Sequence, residues 1–240
     1  MIFRHQAPDI VTSRAFGPPG RRINAVALAV FTLVWLTTTA VLAQVSPPVR
    51  ILVIGDSLTA GYGLARDDGF PAQLERALTA QGLAVRIHDG GVSGDTSTGG
   101  RARLAWMLGG DQPPDAAIVQ LGANDALRGI DPDITFANLS AMLSTLKARG
   151  LPVLLAGMRA PPNLGDAYRT RFDAIYPRLA KEHDVALYPF FLEGVAANPA
   201  LNQADGIHPN ALGVAEIVRR IAPAVTALVG TVVEQQAIKK

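Results

Sequence analysis

The chain has 240 residues, 49% of them apolar, enough for one domain with a sizeable core plus a terminal extension. It has no cysteine, which excludes disulfides, thiolate zinc sites and a cysteine nucleophile, and only four histidines (His5, His88, His183 and His208) to serve any imidazole chemistry. The formal net charge of +2 resides in the N-terminal segment: residues 1–43 hold four Arg and one Asp, so the remainder carries 18 basic and 19 acidic residues, net −1, with no basic stripe or aromatic–basic interleaving to suit nucleic acid.

Arg4, Arg14, Arg21 and Arg22 precede the stretch INAVALAVFTLVWLTTTAVLA (23–43), which contains no charged residue and ends at Val41-Leu42-Ala43. A basic region, an apolar region and a small-x-small end read as a signal peptide cleaved after Ala43. The expectation is a leader over 1–43 and a single domain over 44–240, periplasmic or secreted, with no stable membrane span after cleavage. The alternative is an uncleaved anchor, since about 20 apolar residues also span a bilayer. Arg21-Arg22 hints at twin-arginine export, but the residues after it fit that signal poorly.

Beyond the leader, apolar runs alternate with amphipathic stretches. VRILVIG (49–55) reads as a buried strand, 70–82 as a helix with Gly82 at its end, 83–91 as a second strand, and 98–110 as a helix stopped by a glycine pair. A third strand is expected over 115–122, a helix over 134–150, a fourth strand over 151–158, a helix over 166–183 kinked or broken at Pro177, and a fifth strand over 185–191. A helix over 210–229 with Pro223 inside closes the chain. Five strand–helix alternations with unbroken apolar strands predict a three-layer α/β/α sandwich around a five-stranded parallel sheet, doubly wound and flavodoxin-like. Sites in such folds gather beyond the carboxyl ends of the strands.

Those ends are dense in glycine and small polar residues. The first carries Gly55-Asp56-Ser57, the second DGGVSGDTSTGG, the third LGANDALRG, and the fifth leads to QADGIHPN. His208 precedes Pro209, so it lies in an extended or turn segment, and Asp205 can fold back onto the same imidazole. An acid that orients a histidine, which in turn activates a serine, is the hydrolase triad. The plainer reading is a capping Asp beside a solvated His. Ser57 is either a nucleophile or an ordinary turn serine. Asp56, adjacent in an extended chain, points away from it and is assigned to loop architecture or a supporting hydrogen bond. The Ser57 and Gly94 backbone N–H groups and the Asn124 amide can supply oxyanion donors. Taken singly, Gly94 is a turn glycine and Asn124 an Asx-turn residue beside Asp125; taken together, four strand-end loops presenting Ser, Gly, Asn and Asp-x-x-His favour catalysis.

The blocks GDSLTAGYG, GGVSGDTSTGGRARL, LGANDALRG and DGIHPN resemble, in order and spacing, the four motif blocks of the GDSL esterase/lipase family, the SGNH hydrolases. GDTSTGGRARL, DAIYPRLAKEHDVALYPFF and DGIHPN look closer still to its bacterial periplasmic thioesterase/arylesterase/lysophospholipase subgroup. The resemblance implies the SGNH fold, Ser57 as nucleophile, His208 as general base, Asp205 as its orienting acid, and Ser57, Gly94 and Asn124 as oxyanion donors. It implies two-step acyl transfer on a small-molecule ester or thioester, with no metal and no cofactor. No oligomer is called for, and a monomer is expected.

Leu58, Leu127, Ile130 and Ile207 either line the entrance for an acyl or aryl group or belong to the core. Trp106 and the methionines read as packing, and His88 and His183 as structural. The nearest enzymatic rival is a carbohydrate O-acetyl esterase of the same family. A non-catalytic domain that binds a small ligand or anion is the other, but the first loop lacks the Gly-Lys-Ser/Thr ending of a P-loop and no G-x-G-x-x-G opens the first helix.

Overall fold

The computed structural model describes residues 47–239, so the leader expected over 1–43 lies outside the described residues. VRILVIG forms β1 (Val49–Gly55), buried along nearly its whole length, as a strand covered on both faces must be. It is joined by β2 (Val85–Gly91), β3 (Ala116–Val119), β4 (Val153–Ala156) and β5 (Ala186–Tyr188) in the all-parallel order β2-β1-β3-β4-β5. The chain steps one way from β1 to β2 and the other way from β3 onward. The order therefore reverses between β1 and β3, where the strand ends diverge and leave a crevice.

The helices fall into two packed groups, one on each face of the sheet, as right-handed crossovers of a doubly wound sheet require. On one, α2 (Phe70–Ala80) packs against the terminal α8 (Ala211–Ile238). Phe70, Leu74 and Leu78, fully buried at a spacing of four, form the inner stripe of α2. On the other, α3 (Ser97–Met107), α5 (Pro132–Ala148) and α7 (Ile175–His183) pack in series. Two short helices stand where the sequence reads as loop: α1 (Ser57–Ala60) after β1 and α4 (Ala123–Leu127) after β3.

The helix expected over 166–183 is two, α6 (Asp166–Asp173) and α7. The break falls at Ala174 because the Pro177 ring excludes the carbonyl four residues earlier, at Asp173, while Pro177 itself fits the first turn of α7. β5 stops before Pro189, which has no N–H to donate. Gly157 N–H instead reaches Tyr188 O, and Phe191 N–H returns to Gly157 O, both at 2.8 Å. α8 runs nine residues past the expected end at 229, to Ile238, because Val232 still meets the core. Pro223 inside it is exposed, so water can solvate the carbonyl it leaves unpaired. Trp106 is not packing: it is 83% exposed, turned outward from α3. Met142 and Met158 are buried as expected. Among the described residues no helix is long and apolar enough to cross a membrane.

Candidate active site

At the end of β1 the chain turns sharply into α1. Asp56 caps that helix, its Oδ1 accepting from Leu58 N–H at 3.0 Å. The cap sets Ser57 at the first helical position, where its N–H has no intrahelical acceptor. Asp56 is wholly buried. Burial pushes its carboxyl up to about 6, against the opposing pull of the Leu58 N–H. Its role is therefore structural, as expected.

His208 and Asp205 arrive on the loop before α8. Asp205 Oδ1 accepts from the backbone N–H of Ile207 at 2.9 Å and of His208 at 3.0 Å, wrapping the loop around the carboxylate. Its Oδ2 lies 2.6 Å from His208 Nδ1, and His208 Nε2 lies 2.9 Å from Ser57 Oγ. The His208 backbone N–H, then its ring N–H, then the Ile207 N–H hold the Asp205 carboxyl down to about 2. An ionised Asp205 accepts from Nδ1, leaving Nε2 as the acceptor facing Ser57. Tyr62 lies against the imidazole, ring centroids 4.6 Å apart.

Gly94 and Asn124 stand on the neighbouring strand-end loops. The Asn124 amide donates to Asp95 O at 3.0 Å, which joins its loop to the residue after Gly94 and leaves its second N–H available. Gly94 holds φ +83°, a conformation that favours glycine. Gly122, at φ +114°, starts the Asn124 loop, and a Cβ there would lie 2.2 Å from the Tyr176 hydroxyl, which donates to Leu121 O beneath it. The five residues expected at the site thus fall into two groups: Ser57, His208 and Asp205 share one hydrogen-bond chain, and Gly94 and Asn124 share a clamped loop pair.

Three further residues hold this arrangement together. The Arg103 guanidinium, on α3, donates to Gly55 O at 2.9 Å, Gly90 O at 2.5 Å and the Asp95 carboxylate at 2.6 Å, tying the ends of β1 and β2 to the Gly94 loop. Asp125, wholly buried, accepts from Ser97 N–H at 2.8 Å, the Ser97 hydroxyl at 2.5 Å and the Thr135 hydroxyl at 3.0 Å. The Gln203 carboxamide donates to Tyr62 O and to Pro209 O. Their long-range partners leave no local pattern. The one available signal was Asp125, read as an Asx-turn neighbour of Asn124, because an acid beside a functional residue invites a search for distant hydroxyls.

Of the apolar residues assigned to either entrance or core, Leu58 is core, whereas Leu127 and Ile207 are about half exposed. His183 Nε2 pairs with the Ser140 hydroxyl at 2.8 Å, far from the site, and His88 lies on edge strand β2.

Comparison with known proteins places the chain in a family. The sequence profile of the GDSL-like lipase/acylhydrolase family matches residues 53–215. An arylesterase of Vibrio mimicus is 44% identical over 161 residues, covering 67% of this chain and 80% of that protein. A thioesterase 1/protease 1/lysophospholipase L1 of Escherichia coli K12 is 44% identical over 160 residues, covering 67% and 75%. The crystal structure of AlinE4, an SGNH-hydrolase family esterase, superposes with a TM-score of 0.65 at 49% identity, covering 75% of this chain and 96% of that one. The chain belongs to the GDSL-like lipase/acylhydrolase family.

Proposed function

We propose that the protein is a serine esterase that hydrolyses carboxylic esters and thioesters through an acyl-enzyme on Ser57. One observation carries the reading: Ser57 Oγ, the two ring nitrogens of His208 and the Asp205 carboxylate form an unbroken hydrogen-bond chain at the carboxyl end of the sheet. Ser57 Oγ attacks the carbonyl as its proton passes to His208 Nε2, and Asp205 stabilises the imidazolium and fixes its orientation. The oxyanion forms against the Ser57 and Gly94 N–H groups and the free N–H of Asn124. His208 gives the proton to the departing alcohol or thiol, and water, activated by the same imidazole, releases the acid. The names of the similar proteins support aryl esters, acyl thioesters and lysophospholipids as substrate classes.

The leader belongs to the same proposal. Its support is the basic-then-apolar pattern of residues 1–43, and N-terminal sequencing of the protein from cells tests it, a start at Gln44 being the expected result.

The activity is tested by intact mass after a fluorophosphonate. The 44–240 protein is expected to gain one adduct and its Ser57→Ala variant none. A folded wild-type protein that stays unlabelled overturns the assignment. A panel of p-nitrophenyl esters, acyl thioesters and acetylated sugars then fixes the class, and faster turnover of the sugars would move the protein to the carbohydrate esterases.

A further inference from the structure

Arg128 follows α4 directly. Its backbone N–H donates to Asn124 O at 3.1 Å, and its guanidinium donates to Gly94 O at 2.8 Å. Arg128 thus bridges the two residues proposed as oxyanion donors, its main chain on Asn124 and its side chain on Gly94. A guanidinium carries five N–H groups, and this contact uses one of them.

Among the described residues no carboxylate pairs with Arg128, because the acids of the surrounding loops are engaged elsewhere. Asp95 is held by Arg103, Asp131 and Asp133 by Arg171, and Asp205 by His208. Asp125 is buried among Ser97 and Thr135. Arg128 itself is exposed. Tethering Gly94 O needs a single neutral donor. The full positive charge and the free face of a planar fork go beyond that need, and they match the geometry of a carboxylate or phosphate.

We infer that Arg128 is a specificity-determining residue that favours ester substrates bearing an anionic group close to the scissile carbonyl. The inference rests on the esterase reading above. The Gly94 contact restrains the cation before substrate arrives, so less side-chain entropy is lost on binding, and no protein carboxylate must be displaced. The attraction acts through water-exposed space, so it is modest and sensitive to salt.

The experiment compares kcat/KM for neutral p-nitrophenyl butyrate with two anionic esters. In p-nitrophenyl hemisuccinate the charge lies on the acyl side; in 3-carboxy-4-nitrophenyl butyrate it lies on the leaving group. In Arg128→Gln the anionic-to-neutral ratio is expected to fall about fivefold in at least one arm, the scale of one exposed charge pair. Arg128→Lys should keep most of the ratio, and 1 M NaCl should erase the wild-type advantage, since the Debye length is then about 3 Å. Any loss caused by disturbing Gly94 is common to all three esters and cancels from the ratio. A ratio unchanged in both arms overturns the inference and leaves Arg128 as a tether for Gly94. Hydrolysis of none of the esters by folded wild-type protein overturns the esterase reading itself, and the inference with it.

Discussion

The Gln203 carboxamide donates to the carbonyl of Tyr62 at 2.7 Å, across 141 residues of sequence. Its other N–H reaches Pro209 O at 3.0 Å, and its own backbone N–H reaches His208 O at 2.7 Å. One amide therefore buckles the histidine loop to the loop that follows the serine, and Tyr62, held by it, lies against the imidazole. Neither contact involves substrate, so Gln203 is a positioning residue.

Gln203→Leu removes both side-chain donors at similar volume. It is expected to lower kcat about 10- to 100-fold with little change in KM, because small misplacements of a base are costly to the chemical step. Stability should fall by only about 1–2 kcal/mol. Steady-state kinetics and urea unfolding check both, and a rise in KM without a fall in kcat would contradict the positioning role.

Asn124→Ala deletes a proposed oxyanion donor and the bond to Asp95 O. The expected loss is about 10²–10³ in kcat. Labelling of Ser57 by a fluorophosphonate should slow but persist, since His208 is untouched. A loss of less than about tenfold with the fold intact would exclude Asn124 from the oxyanion site.

Asp56 gives a pH prediction. Its carboxyl rises from an ordinary 3.8 to about 6 in the folded protein, so the native state holds a proton that the unfolded chain has released. Stability from this group is complete below pH 4 and is lost as pH rises through 6. Asp56→Asn keeps an acceptor for Leu58 N–H and does not titrate. Relative to wild type, it should gain about 2 kcal/mol on going from pH 4 to pH 7. Urea unfolding of both proteins at the two pH values measures this, and an equal difference at both would show that the buried carboxyl is uncoupled from folding.

Asp125→Ala strands the Ser97 N–H and hydroxyl and the Thr135 hydroxyl, in a network that also includes Asn138. A buried donor left without its acceptor typically costs about 1–3 kcal/mol, and Asp125→Ala strands three of them at once. Thermal unfolding should show a drop of several degrees or more, and a change within error would mean that water replaces the carboxylate.

The strands were legible because a sheet covered on both faces demands unbroken apolar runs, as in VRILVIG and VLLA. Ser57, His208 and Asp205 were legible because each sits in a compact motif beside glycine or proline. Pro177 announced a break, but its effect falls one turn upstream, which composition alone does not mark. Trp106 was misread because a large aromatic is usually buried, and only the packing of α3 decides which of its faces turns inward. Arg103, Asp125 and Gln203 escaped notice for a deeper reason. Several of their partners, such as Gly55 O, Tyr62 O and the Ser97 N–H, are distant backbone groups, which carry no residue signature.

The Ser57–His208 hydrogen bond joins residues 151 positions apart, and His208 rides on the loop that Asn210 caps into the final helix. A growing or partly unfolded chain can hold Ser57 and both clamped loops and still lack His208 beside them until α8 has docked on α2. Loop-closure entropy must be spent before a contact of such long range can form. On the proposed assignment, hydrolytic turnover therefore doubles as a gauge of whether the last helix has docked.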